Sequence, residues 1–396
     1  MGGIYKMTDE QTILSFLGEN TRQYECSAGR RGYFRTVTDF GAADALEKRL
    51  VEEGFALCSD RSAEHQITRL WRRGQETVFI ARQAGIGALR VITSQSEELF
   101  FGTEGEEKRQ TGMILMNSDY YFPEDPHDNG MGMVVTLADG RFLIYDGGYP
   151  TETDGLMDYL EGQTPKGEKP VIAAWVLTHS HGDHYLCVLD FLKRCSTRAV
   201  VECFLFCAPP VLNAKGKNWD DSFLAEKFPV LAAKNGIPCY SPYQGQMISF
   251  PGVQMEIMKT VDDLFPLLST DSNMASMATR LFFETHKGEK SVLIPGDLMG
   301  SALNRMVHLY GIHLKSDILQ VPHHGVSGGT KEFYDTVDPE TVLYCTSENY
   351  CRGRIATNIE PYLDGDIRNY SWNFYLMNWL HVKKAIAADG GYQNVL

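Results

Sequence analysis

The chain has 396 residues, with 51 Asp and Glu against 37 Lys and Arg, a formal charge of −14 and a pI near 5.3. That length exceeds what one small core holds, so one large or two moderate domains are expected, and 43% hydrophobic residues exclude a disordered chain. The acidic balance disfavours indiscriminate binding to nucleic acid or anionic membrane, but not a small phosphate-bearing substrate, because a metal site reverses the local field.

The N-terminal "MGGIYKMTDEQ" has no apolar signal core, and no stretch reaches the ~18 apolar residues of a membrane span. Nine cysteines, odd in number and without a C-x-x-C pair, read as reduced thiols. A cytoplasmic protein with no membrane partner is expected.

Residues 1–110 are expected to form a small α+β domain of unknown role. "GAADALEKRLVEEGFAL" carries a helical stripe at Ala43, Leu46, Leu50 and Val51 that stops near Gly54. "HQITRLWRR" and "ETVFIARQ", joined at Gly74, and then "GALRVITSQ" read as an antiparallel meander. His65 stands alone and reads as a surface residue. The charged "SEELFFGTEGEEKRQTG" marks a boundary.

Residues 111–396 are expected to carry the chemistry. "GMVVTLADGRFLIYDGG" is a hairpin turning at Asp139-Gly140. "PVIAAWVLT" reads as a buried strand, "YLCVLDFLKRC" as a helix, "AVVECFLFCAP" as a strand and "DDSFLAEKFPVLAAKNGI" as a helix with a glycine stop. "QMISFPGVQMEIMKT" is hairpin-like, and "MATRLFFET" and "SVLIPGDL" flank the polar turn "HKGEK". The helix "SALNRMVHLYG" leads to the strand "SDILQVP". Strands alternate with helices and also pair with each other, which gives an α/β (α+β) fold with mixed sheets.

Within this order, "HSHGDH" follows the buried strand. It spends three of 11 histidines in six positions, at a strand's carboxyl end where sites commonly form. His179 and His181 alternate in an extended turn and can address one metal. Asp183 and His184 open the helix and can address a second, with Gly182 making the sharp turn between the pairs. Imidazole and carboxylate suit zinc, iron or manganese.

"HSHGDH" resembles the H-x-H-x-D-H signature of the metallo-β-lactamase superfamily, and the resemblance extends over residues ~112 to ~396. It implies a four-layer αββα sandwich preceded by the small N-terminal domain, and two divalent metal ions, zinc first, with manganese or iron as alternatives. "LIYDGG" then supplies Asp146 as an orienting residue beneath the metals, and "LIPGDL" supplies Asp297 as a bridge between them. "LQVPHHG" supplies the last ligand, His323 or His324, with His323 preferred for following the strand first and the other free to shuttle protons. Many members have a further histidine between these motifs. Here the only one is His286, in a charged turn. "STDSNMASMATRLFF" stands in its place, with Asn273 and Ser276 similar to the subgroup found in the hydrolase-like domain of DNA-uptake competence proteins. The first metal would then take His179, His181 and Asp297, with solvent or Asp271.

The implied activity is hydrolysis by a metal-activated hydroxide at a dinuclear site, on a phosphodiester or another small ester. Asp183 would also hold the attacking water, and the leaving group would take its proton from solvent, from Tyr185, which is more often a packing residue, or from the spare member of the 323/324 pair. Long nucleic acid is disfavoured by the acidic charge. "KRCSTR" is a short basic group but not a dense one. Aromatics in "NSDYYFPEDP" and "NYSWNFYLMNWL" are pocket or core candidates. The N-terminal domain could cover the cleft or mediate homo-oligomer formation. Two rivals remain: a di-iron oxidoreductase of the same fold, and a non-catalytic metal-binding module.

Overall fold

The computed structural model describes residues 7–26, 30–63, 66–95, 109–116, 130–209, 222–263, 272–285, 288–325, 329–346, 384–387 and 393–396. His65, His286, Asp271, both aromatic segments and most of the 96–112 boundary lie outside the described residues.

An N-terminal antiparallel sheet runs, edge to edge, β1 (Arg22–Glu25), β2 (Arg31–Thr36), β6 (Ala88–Gln95), β5 (Glu76–Gln83), β4 (Gln66–Arg73) and β3 (Ala56–Ala63). Strand alternation divides its apolar side chains between two cores. Val78 and Ile80 pack with Leu46 and Leu50 of α2 (Gly41–Glu52) and Ile13 of α1 (Glu10–Leu17). Phe79 and Ala81 point the other way, into the core that holds Leu303 and Met306 of α7 (Gly300–Tyr310). The expected helix and meander are present within this larger sheet.

The second sheet runs β13 (Cys239–Tyr240), β12 (Phe204–Phe206), β10 (Val171–Leu177), β9 (Phe142–Asp146), β8 (Gly132–Thr136), β7 (Gly112–Leu115) and β21 (Gln393–Asn394), with β11 (Val200–Val201) beside β10. Strands β9, β10, β12 and β13 are mutually parallel. The third sheet runs β14 (Met247–Phe250), β15 (Val253–Lys259), β16 (Ala278–Thr285), β17 (Gly288–Ile294), β18 (Ile318–Gln320), β19 (Thr341–Tyr344) and β20 (Lys384–Ala387). Here β17, β18 and β19 are parallel.

The two sheets face one another across a core in which Leu143, Tyr145 and Val176 meet Met255, Leu281 and Val292. Trp175, on the outer face of β10, packs edge-on against Phe191 of α4 (Gly182–Arg194) at 5.1 Å, beside α3 (Glu152–Gln163). α7 and α8 (Lys331–Val337) cover the third sheet's outer face. The result is the four-layer αββα sandwich.

Two sequence expectations resolve differently. "AVVECFLFCAP" gives two short strands, β11 and β12, separated at Glu202-Cys203 but in one register against β10, Val171↔Val200 and Trp175↔Phe204, with Glu202 N–H donating to the Ile172 carbonyl and Trp175 N–H to the Cys203 carbonyl between them. The expected helix near residues 220–237 is split into α5 (Phe223–Glu226) and α6 (Phe228–Lys234), because Pro229 lacks a backbone donor and so opens a new helix at its first turn. None of the eight described cysteines is joined to another by a disulfide. No helix among the described residues is long and apolar enough to cross a membrane.

Candidate metal centre

Parallel strands in both inner sheets end at the same edge of the sandwich, and the chemistry-bearing residues sit on those ends. Asp146 ends β9, His179 follows β10, and His181 to His184 form the first turn of α4. Asp297 follows β17, and His323 and His324 follow β18. The two sheets are joined there by Met277 N–H donating to the Thr178 carbonyl at 2.9 Å. Gly296, at φ +60, fits between them. A Cβ at that position would stand 3.1 Å from both Ser276 Cβ and Thr178 Cβ. Ser276 Oγ accepts the Asp297 amide at 3.2 Å and fixes the aspartate's backbone.

Three imidazoles have their Nδ1 sides held by the protein. His184 Nδ1 lies 2.9 Å from Asp146 Oδ2, His179 Nδ1 lies 3.1 Å from Thr178 Oγ1, and His324 Nδ1 lies 2.8 Å from the Cys345 carbonyl. Thr178 spends its hydroxyl proton on Asp146 Oδ2 at 2.8 Å, so its oxygen is free to accept from His179. Donation from each Nδ1–H leaves each Nε2 facing the interior. There His184 Nε2 is 3.2 Å from His324 Nε2 and 3.2 Å from Asp297 Oδ2. His324 Nε2 is 3.2 Å from Asp297 Oδ2 and 3.4 Å from Asp183 Oδ2.

Two sets of donor atoms each lie within 4.8 Å of one another: His179, His184 and Asp297, and Asp183, His184 and His324. His179 Nε2 and Asp297 Oδ1 are buried there without a hydrogen-bond partner. Buried polar atoms are rarely left so, and a cation held by nitrogen and oxygen donors would satisfy both. The residues present therefore fit divalent metal.

The charges of the group hold one another in place. Burial pushes the Asp297 carboxyl up, but His324 and His184 overcome it and keep it well below the usual carboxylate range. Asp183 is likewise depressed, with burial opposed by His184 and a hydrogen bond to His324. Burial lowers His184 and His324, yet Asp297 and its neighbouring carboxylates raise His184 well above its ordinary value and His324 to about 10. His179 and His323 are held down, chiefly by burial. Asp146 is raised by its complete burial.

The structure thus brings together His179, Asp183, His184, Asp297 and His324, with Asp146 directly behind His184. His181 caps the start of α4. Its ring stands 4.7 Å from that of His179, but its nitrogens are not in either donor set. His323, with its side chain 24% exposed and its Nε2 3.9 Å from Asp297 Oδ2, stands at the mouth. Asn273 is buried on the short turn that precedes Ser276. Sequence reasoning passed over Thr178. The signal available was its place directly after the apolar run and before the first histidine. Tyr185 is a packing residue, stacked on Phe223 at 4.5 Å.

The family model of the metallo-β-lactamase superfamily matches residues 126–202, which include β9, β10 and the "HSHGDH" turn. No curated protein matches the chain. Among solved structures, CmlA, a diiron β-hydroxylase from Streptomyces venezuelae, is similar at a TM-score of 0.38 and 13% identity, over 73% of this chain and 54% of that one. Zinc-bound PqqB from Methylobacterium extorquens is similar at 0.29 and 16%, over 48% and 56%. Yeast PDE1 is similar at 0.41 and 10%, over 72% and 100%. The chain spans about half the length of the first two. The similarity to the family model covers the β9–β10 part of the αββα sandwich, and the candidate metal centre lies where the strand ends of its two inner sheets meet.

Proposed function

We propose that the chain is a metal-dependent hydrolase acting on a small phosphodiester or another small ester. The observation that carries this reading is the convergence of three imidazole Nε2 atoms with the carboxylates of Asp183 and Asp297, each imidazole anchored through its other nitrogen. His179, His184 and Asp297 would hold one divalent cation, and Asp183, His184 and His324 a second. Zinc is the first expectation, with manganese or iron as alternatives. Bound cations of this kind lower the pKa of solvent toward neutrality and stabilise charge developing on a phosphoryl or acyl oxygen.

The chain's own residues do the rest. Asp183, ionised and partly open to solvent, can accept a proton from the attacking water and keep it in line. His323, at the mouth, can carry a proton between solvent and the leaving group. Ser276 Oγ accepts the Asp297 amide and so fixes the backbone that carries this carboxylate. A small substrate is favoured over a long polyanion. In "KRCSTR" the two arginines are already engaged, Arg194 with Asp190 and Asp154, and Arg198 with Glu161.

The test is metal analysis of the purified protein together with a panel of chromogenic phosphodiesters, thioesters, lactones and β-lactams. Metal-dependent turnover of a phosphodiester or ester is expected. Asp183→Asn should reduce it by roughly 100-fold or more without changing the melting temperature, in keeping with the weight of a positioned acid–base group. Metal-loaded protein inert on the whole panel, or iron with oxygen consumption, would overturn the reading.

A further inference from the structure

Lys259 ends β15 with its side chain fully buried, and lysine is almost never buried so deeply unless its charge is answered. Its Nζ donates to the Met274 carbonyl at 3.1 Å and approaches the Thr260 carbonyl at 3.4 Å. The backbone is shaped to aim it there. The β15–β16 register slips between Ile257↔Thr279 and Lys259↔Ala278, so Met258 is an extra residue, a bulge of the kind that re-aims a side chain. The Met258 carbonyl accepts Gln244 Nε2 at 3.2 Å and the Tyr310 hydroxyl. Three residues beyond Lys259, Asp262 accepts Arg30 Nε at 2.6 Å. The strand end is therefore fixed on both sides of the lysine.

Met274 lies in the short turn Asn273–Ala275, which closes with Ser276 N–H donating to the Asn273 carbonyl at 3.1 Å. The next two residues reach the metal centre. Ser276 Oγ accepts the Asp297 amide at 3.2 Å, and Met277 N–H donates to the Thr178 carbonyl at 2.9 Å. Ser276 also bears directly on Gly296, where a Cβ would stand 3.1 Å from its own. A shift of the turn thus passes to the backbone of Asp297.

That aspartate has little room for error. Its Oδ2 lies 3.2 Å from His184 Nε2 and 3.2 Å from His324 Nε2. Two donors on one tetrahedral ion, with bonds of ~2.0 Å, stand ~3.3 Å apart, so these three atoms are spaced to share a cation. Metal–ligand distances hold to about 0.2 Å, so a turn displaced by ~0.5 Å is enough to spoil the fit.

We propose that Lys259 is a positioning residue for the metal centre: its buried ammonium holds the Met274 carbonyl and so sets, through Ser276, where Asp297 presents its carboxylate. The inference rests on the metal-binding part of the hydrolase reading and adds to it a residue outside both donor sets. The charge has a use here. A charged donor holds a carbonyl about twice as strongly as a neutral one, and burial away from water strengthens it further.

Cobalt(II) is the probe, because its visible spectrum follows coordination geometry, and the full chain is titrated without substrate. Lys259→Met keeps the length of the stem and removes the ammonium. It should bind cobalt about tenfold more weakly than the parent, the lower end for residues behind metal ligands, with an altered visible band. Leu46→Ala, in the core beneath α1 and α2, loses stability without touching the turn and should change neither readout. Folded Lys259→Met with cobalt affinity within about twofold of the parent and the parent's band overturns the proposal, because the lysine then serves stability alone. Lys259→Gln takes its place in this comparison if the Met variant does not fold. Lys259→Met/Ser276→Ala should bind no more than about twofold more weakly than Ser276→Ala, since both changes act on one linkage. Losses that multiply overturn the route through Ser276. A parent protein that takes up no cobalt overturns the metal centre, and this role with it. A parent that takes up cobalt yet hydrolyses nothing overturns the hydrolase reading alone.

Discussion

Replacing Asp146 with Asn tests how the centre is aimed, because the side chain keeps its shape and loses only acceptor capacity and charge. The Asp146 carboxylate accepts three hydrogen bonds: from Thr178 N–H at 2.7 Å, from Thr178 Oγ1 at 2.8 Å and from His184 Nδ1 at 2.9 Å. An amide has a single acceptor oxygen. If that oxygen faces the Thr178 amide, the new NH2 faces His184 Nδ1, which must then become an acceptor. His184 would carry its proton on Nε2, 3.2 Å from both His324 Nε2 and Asp297 Oδ2, and a protonated nitrogen cannot bind a cation. If the amide flips, its NH2 opposes the buried Thr178 N–H instead.

Either orientation forfeits one or two charge-assisted bonds worth about 1.5–3 kcal/mol each, so about 3 kcal/mol of cation binding should be lost. That is about 100-fold in affinity, at the upper end of the range for residues that orient metal-binding histidines. The metal-free protein should suffer less. Burial already opposes the Asp146 charge, so removing it offsets part of the lost hydrogen bonding. The assay is zinc competition against a chromogenic chelator at fixed pH, beside melting of the metal-free forms. Zinc affinity within about threefold of the unaltered protein, with the fold intact, would refute the orienting role.

Other positions give independent checks. Glu152, at the start of α3, is pushed from its ordinary 4.5 to about 7 by burial. Its folded carboxyl therefore keeps its proton through a window where the unfolded chain has lost it. Stability from this group is present below about pH 4.5 and lost as pH rises through about 7. Glu152→Gln should leave low-pH stability unchanged and add about 2–3 kcal/mol above pH 7, read by urea unfolding across pH; a pH-independent difference would contradict the assignment. Ser276→Ala leaves the buried Asp297 amide without its acceptor, and should cost about 1–3 kcal/mol of stability and lower turnover together; normal turnover would show that Asp297 is held by something else. Arg30→Met strands the buried Asp262 carboxylate and should cost about 3–5 kcal/mol, much of it recovered in the Arg30→Met/Asp262→Leu double variant. A single variant as stable as the parent would mean that the pair does not pin β1–β2 to the sandwich.

What was legible in the sequence was local. "PVIAAWVLT" is buried on both faces and so reads as an apolar run, and the helix after it shows its stripe directly. "HSHGDH" announces itself by composition. Asp297 and the 323/324 pair were reachable only through the order of motifs along the chain. The choice within that pair was not reachable at all. It depends on His323 and His324 both adopting left-handed backbone, which turns His324 inward to the Cys345 carbonyl and leaves His323 at the mouth. β1 and β2 escaped notice because "RQYE" and "RGYFRT" are short and polar, and what buries Arg30 is an aspartate 232 residues further on. His181 marks the same limit. Its spacing from His179 suggests a shared target, and its ring does stand 4.7 Å from that of His179, yet spacing alone does not tell whether its nitrogens join the grouped donors.

The backbone itself records where the fold is under constraint. Among the described residues, the non-glycine positions with positive φ are Asp146, His323, His324 and Asp338, and the first three are at the centre. Left-handed backbone costs an ordinary residue about 1–2 kcal/mol and persists only where the surroundings leave no alternative. Here they leave none. Trp175 Nε1 donates to the Asp146 carbonyl while Thr178 grips its carboxylate, and Gly325, directly after the histidine pair, is so close to Tyr344 that a Cβ would stand 2.7 Å from its ring. Those contacts fix the backbone from which the donors are aimed. The tautomers of His184 and His179 rest on Asp146 and Thr178, which would touch no metal themselves, so a change at either position is expected to alter cation affinity without removing a donor.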